Sequence, residues 1–147
     1  MKNESEDKLY HQLAYYTLSH GSAEFIHQNI VDAYAAQNAD ENTKPVKVTF
    51  ALIGLYLLIE KGYTGRQVQL AHIALAKKRK DWPHFDLPKD RGELTVRDVL
   101  DVPAGAERDQ KILEWCKNVW EAYTSEHRKV VELVRGELDI LEATTEM

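Results

Sequence analysis

The feature that most constrains this fold is a stretch in the first half of the chain that is apolar on every side. The stretch runs from Val48 to Ile59 and is interrupted only by a few mildly polar or small residues. With its flanks it predicts a helix from Pro45 to Lys61, ended by Gly62 in a left-handed conformation. A membrane helix needs about 20 apolar residues. This shorter run therefore predicts the central helix of a helical bundle in water.

The rest of the chain shows helical spacing of apolar residues and no strand-like alternation. Its 7 Gly and 4 Pro are too few for an all-β protein with many tight turns. The predicted helices cover residues 6–19, 22–38, 45–61, 64–80 and 106–141, with a short helix at 95–100 inside the connection 81–105. We therefore predict an all-α fold in a single domain, residues 1–147. It is a helical bundle of about five main helices with a long final helix.

Two helix starts carry capping residues. Thr64 and Gln67 match a capping box, and Thr95 with Asp98 has the same spacing. The connection 81–105 around the second of these is long, and structureless loops of that length are uncommon unless they pack on something. We therefore expect its apolar residues to be buried against the bundle, namely Trp82, Phe85, Leu87, Val99 and Leu100.

The predicted final helix is too long for its own domain. At 1.5 Å per residue, an unbroken helix from Ala106 to Leu141 extends about 54 Å, against a diameter of roughly 38 Å for a compact domain of this length. We expect the overhanging apolar residues to pack against a second copy of the chain, as a homodimer. The predicted interface consists of Val130, Val134, Leu138 and Leu141. The alternative is that Gly136 ends the helix early and lets the tail fold back.

Five stretches spread over most of the chain carry a resemblance to a known family. They are 20–32 (HGSAEFIHQNIVD), 64–72 (TGRQVQLAH), 82–85 (WPHF), 94–100 (LTVRDVL) and 115–120 (WCKNVW). In these stretches the chain resembles a family of small bacterial helical proteins described only as a domain of unknown function. The resemblance implies a bacterial cytoplasmic protein. It brings no catalytic assignment with it.

Three histidines lie on apolar faces of three different predicted helices, and we expect them to point toward the region where those helices meet. They are His27, His72 and His127. Glu24 precedes His27 by one turn, which is the Glu-x-x-His spacing of di-iron bundles, and Asp32 lies on the same helix. A catalytic divalent ion such as zinc takes three protein ligands and leaves one position open. These five residues are the candidate metal ligands.

Each candidate ligand also has a purely structural explanation. A lone histidine on an apolar face usually bonds a backbone carbonyl or a nearby carboxylate in the core. A single copy of the Glu-x-x-His spacing is only part of the di-iron pattern. Cys116, on the apolar line of the last helix, is expected to be a small buried residue rather than a catalytic thiol. The sequence therefore leaves open whether the histidines bind a metal ion or are only hydrogen-bonded.

Charge and cysteine content narrow the function classes. The net charge of −5 argues against a dedicated nucleic-acid binder, even with the basic run Lys77–Lys80. A single cysteine forms no internal disulfide, and the polar start lacks the apolar core of a secretion signal, which favours the cytoplasm. We expect a self-associating or protein-interaction module that does not enter the membrane. The alternative is a metal- or small-molecule-binding bundle with a histidine-lined core site, and catalytic activity stays open.

Overall fold

The structure is a computed structural model that describes residues 4–19, 24–78 and 81–137. Within these ranges the chain is helical and contains no strand, which confirms the all-α prediction for this part of the chain. The elements are α1 (Glu4–Ser19), α2 (His27–Gln37), α3 (Pro45–Lys61), α4 (Gly65–Lys78), α5 (Val96–Leu100), α6 (Ala106–Ala122), a 3-10 turn (Thr124–Glu126) and α7 (His127–Gly136). None of these helices is long and apolar enough to cross a membrane.

Helix α3 is the central helix, as its composition predicts. It packs against α2, α4, α6 and α7. Between Val48 and Leu57 every residue except Phe50 is buried. Gly62 follows with φ 71° and ends the helix in the left-handed region, where glycine carries no steric penalty. Because α3 has neighbours on several sides, it has no face that needs polar side chains.

Large aromatic residues of α6 complete the core. Trp115 is fully buried, and its indole Nε1–H donates a hydrogen bond of 3.0 Å to Oε1 of Gln37 on α2. Tyr123, just after α6, is also fully buried, and its hydroxyl donates to the backbone oxygen of Ala36 at 2.5 Å. Their apolar rings fill the core, while their polar ends join α6 to the carboxyl end of α2.

The predicted unbroken final helix is wrong, because the chain turns after Ala122. Tyr123 leaves the helical conformation with φ −93° and ψ 22°, and the 3-10 turn leads from it into α7. Hydrogen bonds to distant parts of the chain hold this turn in place. The buried Glu126 accepts a hydrogen bond of 2.7 Å from the backbone N–H of Asp86, and Tyr123 is anchored on α2.

This break removes the overhang on which the predicted dimer interface depended. Helix α7 packs on α3 of the same chain. Val130 is 0% exposed and Val134 4% exposed within this single chain, so both belong to its own core. Leu138 and Leu141 lie outside the described residues. The alternative, in which the final helix ends early, is closer to the structure. The break, however, lies at Tyr123, and α7 continues to Gly136.

The connection 81–105 packs on the bundle. Phe85 and Val99 are buried, while Trp82, Leu87 and Leu100 are partly buried against the core. Helix α5 starts with the predicted capping box. The box at α4 is present as well: the Thr64 N–H donates to Gln67 Oε1 at 2.9 Å, and the Gln67 N–H donates to Thr64 Oγ1 at 3.1 Å. Both helix starts are therefore confirmed.

Candidate functional site

His27 lies at the first position of α2 and joins it to α1. Its Nδ1 is 2.9 Å from the hydroxyl oxygen of Thr17, and its ring centroid is 5.8 Å from that of Phe25. Partial burial lowers the pKa of this imidazole below its usual value. These contacts fix the start of α2 against α1.

His72 lies in the middle of α4 and stacks on Phe50 of α3, with 4.9 Å between the ring centroids. Trp82 meets the same Phe50 ring edge-on, also at 4.9 Å. Burial lowers the pKa of His72 to about 4, although the backbone of Phe50 acts in the opposite direction. Its Nε2 is buried and has no hydrogen-bond partner among the described residues.

His127 lies at the first position of α7, just after the 3-10 turn. Its ring stacks on Trp120 with centroids 3.7 Å apart, and its Nε2 is 2.7 Å from the backbone oxygen of the same residue. Trp120 in turn donates its indole N–H to Oε2 of Glu60 at 2.9 Å. Through these contacts with Trp120, His127 holds the start of α7 against the end of α6.

The structure does not bring the predicted metal ligands together. Each histidine has its own set of neighbours, and Glu24 is exposed in the turn before α2. Across residues 4–19, 24–78 and 81–137, no group of three or more His, Cys, Asp or Glu side chains is arranged to hold a metal ion. The histidine-lined core site therefore finds no support in the geometry.

Asp32 of α2 is a buried carboxyl at the contact with α3. It is 4% exposed, and its Oδ1 accepts a hydrogen bond of 3.2 Å from Gln28 Nε2. Burial raises its pKa well above the usual value, although the hydrogen bond from Gln28 acts in the opposite direction. A Cβ at Gly54 of α3 would lie 1.9 Å from Asp32 Oδ2. Only glycine leaves room for this carboxyl, so Asp32 is a buried core group that sets the distance between α2 and α3.

One feature that sequence reasoning missed is a cavity of about 460 Å³ where α2, α4 and α6 begin. We call it the amino-end cavity. Its wall is more apolar than polar, and it is lined by Glu24, Ile26, Asn29, Leu58, Gly62, Tyr63, Thr64, Gly65, Ala106, Asp109, Gln110, Ile112 and Leu113.

The chain before α2 forms one edge of this cavity under tight steric constraint. Phe25 has a positive φ of 55°, which is uncommon for a residue with a side chain. A Cβ at Gly65 would lie 2.0 Å from the Phe25 backbone oxygen, so the two backbones touch at a place where only glycine fits. The N–H of Arg66 donates to the backbone oxygen of Glu24 at 2.8 Å. A close backbone contact and a hydrogen bond therefore fix this edge against the start of α4.

Two polar side chains in the cavity wall could interact with a ligand. Asn29 is 7% exposed, and its side-chain oxygen is buried with no hydrogen-bond partner among the described residues. Asp109 is half-buried, and its Oδ1 accepts a hydrogen bond of 2.7 Å from the Tyr16 hydroxyl. With Glu24, the described lining residues include two carboxylates and no Lys, Arg or His. Asn29 lies within a resembling stretch but carried no prediction, because one asparagine in a helical pattern has no distinctive spacing.

A second cavity of about 380 Å³ adjoins the first along the valley between α3 and α6. We call it the α3–α6 groove. It shares Leu58, Gln110 and Leu113 with the amino-end cavity and adds Ile59, Glu114 and Lys117. Leu113 is 40% exposed, one of the large apolar side chains in the described part of the chain that reaches solvent.

A further cavity of about 290 Å³ lies between α1 and α2 and contains two stacked tyrosines. The ring centroids of Tyr10 and Tyr34 are 4.0 Å apart. The hydroxyl of Tyr34 donates to Asp7, and Asn38 donates to the backbone oxygen of Tyr34 at 3.0 Å. Because these polar groups satisfy one another, this cavity makes a weaker case for a ligand than the amino-end cavity does.

The family model of DUF5946, a family of unknown function, matches residues 7–124, so the chain belongs to that family. No curated protein and no solved structure matches the chain. All residues that line the amino-end cavity and the α3–α6 groove fall inside the matched range. The family description assigns no residue a role, and the function is therefore argued from geometry.

Proposed function

We propose that this member of the DUF5946 family is a protein-interaction module that binds a basic amphipathic helix of a partner protein in the α3–α6 groove. The observation that carries the proposal is the exposed Leu113 on a partly apolar floor, with Glu114 and Lys117 beside it and two further carboxylates, Glu24 and Asp109, in the adjoining amino-end cavity. A valley between two helices is a common seat for a third helix, which inserts residues at helical spacing.

Apolar contact supplies the expected affinity. Leu113 is exposed, and Leu58 and Ile59 beside it are half-buried. Covering a leucine side chain fully is worth about 1.5–3 kcal/mol. Two or three such contacts, reduced by an association cost of at least about 4 kcal/mol, leave at most about 5 kcal/mol, which supports weak binding in the millimolar to submillimolar range.

Charge determines which partner fits. Along the groove and the adjoining cavity lie Glu24, Asp109 and Glu114, against Lys117 as the one cation among the described residues that line them. The chain as a whole carries a net charge of −5. A partner with Lys or Arg flanking its apolar residues is therefore favoured, and an acidic helix or a nucleic acid is repelled.

A homodimer stays a prediction, but it now needs a different surface. Val130 and Val134 are buried in the core of one chain. A two-fold pairing of groove against groove would bring like carboxylates of the two copies close together, which is unfavourable. The acidic rim therefore favours a different protein over a second copy.

We also infer a bacterial, cytoplasmic protein. Cys116 is buried and free, as expected for a cysteine kept for packing in a reducing compartment. The resemblance of five stretches to small bacterial proteins supports the same inference. Location stays a prediction that cell fractionation would test.

The direct test uses two labelled peptides of about 18 residues, each designed as an amphipathic helix with Leu at helical spacing. One carries Lys on its polar flanks and the other carries Glu. Fluorescence anisotropy should show saturable binding of the Lys peptide and at least about tenfold weaker binding of the Glu peptide. Equal affinity for both peptides, or no binding of either, would refute the proposal.

Variants of the groove locate the binding. Leu113→Asp and Glu114→Lys should each weaken the Lys peptide by about tenfold or more. Ile73→Asp is the matched control, because Ile73 on α4 is 48% exposed and lines neither cavity. The control should bind as the wild type does. If Ile73→Asp weakens binding as much as Leu113→Asp, the groove is not the binding surface.

A further inference from the structure

We propose that two copies of this chain exchange α7, so that each α7 packs on α3 of the other copy. The 3-10 turn, Thr124–Glu126, is the hinge of this exchange. When the hinge straightens, α6 and α7 become one helix, and α7 leaves the α3 of its own chain. Exchange of an identical element between two protomers gives a dimer without a new complementary surface. The proposal stands whether or not a partner helix binds in the α3–α6 groove.

The sequence of the hinge contains nothing that requires a break. Residues that face the core continue at steps of three or four through the turn, namely Val119, Tyr123, His127 and Val130. Residues 122–127 include neither Gly nor Pro, the two residues that most disfavour a helix interior. The local sequence therefore favours one helix where the folded chain has two.

The backbone of the hinge is close to the helical conformation. Tyr123 has φ −93° and ψ 22°, and Glu126 has φ −104° and ψ −2°. Both residues lie near the bridge region, which adjoins the right-handed helical region. The hinge can therefore straighten without passing through a left-handed conformation.

A few tertiary hydrogen bonds keep the hinge closed. Glu126 accepts from the Asp86 N–H at 2.7 Å, and the Tyr123 hydroxyl donates to the Ala36 backbone oxygen at 2.5 Å. Straightening the turn moves Glu126 away from the connection 81–105 and breaks its bond. The exchange therefore has to overcome these bonds rather than the preference of the local sequence.

The contacts of α7 itself survive the exchange, because the second copy supplies the same neighbours. Val130 and Val134 are buried, and α7 packs on α3. His127 stacks on Trp120 with 3.7 Å between the ring centroids. In the exchanged dimer each of these groups meets the same residues of the other chain.

A second copy is the partner that best fits the opened surface of α3. An opened α7 exposes Val130 and Val134 together with the α3 surface that they cover, which is unfavourable in water. The α7 of another copy is already complementary to that surface. Because association costs entropy and the hinge bonds are lost, the fraction of dimer should rise with protein concentration.

The direct test cross-links α7 to α3 with a short bismaleimide in the variant Lys61→Cys/Arg135→Cys. Both positions are exposed and line the same small cavity, whereas the native Cys116 is buried. The full chain is unfolded in urea and refolded at low and at high concentration, and monomer and dimer are separated by size exclusion. The monomer should give links within one chain. The dimer should give covalent dimers of about twice 16.9 kDa on a denaturing gel.

A dimer that gives only links within one chain keeps each α7 on its own α3, and this result would overturn the proposal. Absence of any dimer after refolding at high concentration would overturn it as well. The single variants Lys61→Cys and Arg135→Cys are the controls, and neither should give covalent dimers. If a single variant links as much as the double variant, or if the double variant does not fold, the hinge variants decide.

Two matched hinge variants change the preference for a straight helix without altering the core, because Thr124 and Ser125 are exposed. Thr124→Ala/Ser125→Ala favours a continuous helix, and Thr124→Gly/Ser125→Gly disfavours it, with the same hydroxyl groups removed. In sedimentation equilibrium the Ala variant should dimerise at least about tenfold more tightly than the Gly variant. Equal dimerisation of the two variants would overturn the proposal.

Leu113→Asp separates the exchange from pairing through the α3–α6 groove. This variant should weaken the Lys peptide and leave the dissociation constant of the dimer within about threefold of the wild type. Loss of the dimer in Leu113→Asp would assign dimerisation to the groove and would overturn the exchange of α7.

Discussion

Asp32 shows at the residue scale how a single side chain couples packing to protonation. Its carboxyl is buried between α2 and the glycine of α3, and burial raises its pKa well above 3.8. The folded state therefore binds a proton that the unfolded state has already released. The stability that this proton provides is complete below pH 3.8 and is lost as the pH rises toward the folded pKa.

Asp32→Asn should remove this pH dependence. Asparagine keeps an oxygen that can accept from Gln28 but does not ionise. Within the window above pH 3.8, each pH unit costs the wild type up to about 1.4 kcal/mol. At pH 8 the variant should therefore be the more stable of the two in urea unfolding, with a smaller change between pH 5 and 8. The exposed Asp101→Asn is the control, and parallel pH curves for wild type and Asp32→Asn would contradict this account.

His72 should act in the opposite pH direction. Its pKa is lowered from 6.5 to about 4 by burial, so the unfolded chain takes up a proton before the folded one does. Stability is then lost as the pH falls from 6.5 to about 4, by up to about 3 kcal/mol. His72→Gln should flatten this acid limb in urea unfolding between pH 7 and 4.5, whereas the exposed His84→Gln should not. An unchanged acid limb in His72→Gln would assign the acid sensitivity to other groups.

The sequence predicted which helix face each histidine occupies, but not where along the bundle it lies. Periodicity identifies a face, whereas the meeting of three side chains also depends on the relative heights of three helices. His27 and His127 are first residues of their helices, and His72 lies mid-helix. Each meets a different neighbour, Thr17, Phe50 and Trp120 respectively, and no local pattern in the sequence contains that information. Asn29 was missed because an unpaired acceptor becomes visible only when its neighbours are in place.

The best-predicted element is α3, because its composition alone determined its surroundings. Pro45 and Lys61 are its observed limits. The least well predicted is the end of α6, because apolar spacing continues through the break. The groups that hold the turn come from far away in the chain: Tyr123 bonds to Ala36, and Glu126 bonds to Asp86. Periodicity within a helix has no information about such partners.

Gly54 in the middle of α3 gives a test at the scale of the element. In most helices Gly→Ala stabilises by about 0.5–1 kcal/mol. Here the added Cβ would lie 1.9 Å from Asp32 Oδ2, so Gly54→Ala should instead destabilise by about 1–3 kcal/mol. Gly136→Ala at the end of α7 is the matched control, because nothing lies within 4 Å of its added Cβ. If Gly54→Ala and Gly136→Ala change the free energy of unfolding in the same direction, the close approach of α2 and α3 is wrong.

At the scale of the whole molecule, the sequence predicted the helical class, the central helix and the packed connection. It did not predict the amino-end cavity, since that cavity forms from the starts of three helices that are distant in sequence. Glu24, Thr64 and Asp109 come together only through the packing of α2 on α3 and α6 and of α4 on α2. Sites of this kind depend on tertiary geometry more than on motif.

Val134 distinguishes two accounts of how the molecule assembles. In one account it lies in a dimer interface, and in the other it lies in the core of a single chain. If Val134 lay in a dimer interface, Val134→Glu would give folded monomers. In the structure Val134 is 4% exposed and packs in the core of one chain. Burying an unpaired carboxylate there should instead cost several kcal/mol, about 3 or more, and abolish cooperative unfolding. Arg135→Glu places the same group at the next, exposed position of α7 and should unfold like the wild type.

Circular dichroism melts combined with light scattering separate the accounts. A folded Val134→Glu chain of 16.9 kDa, from a wild type of about twice that mass, would restore the dimer interface and refute the packing of α7 described above.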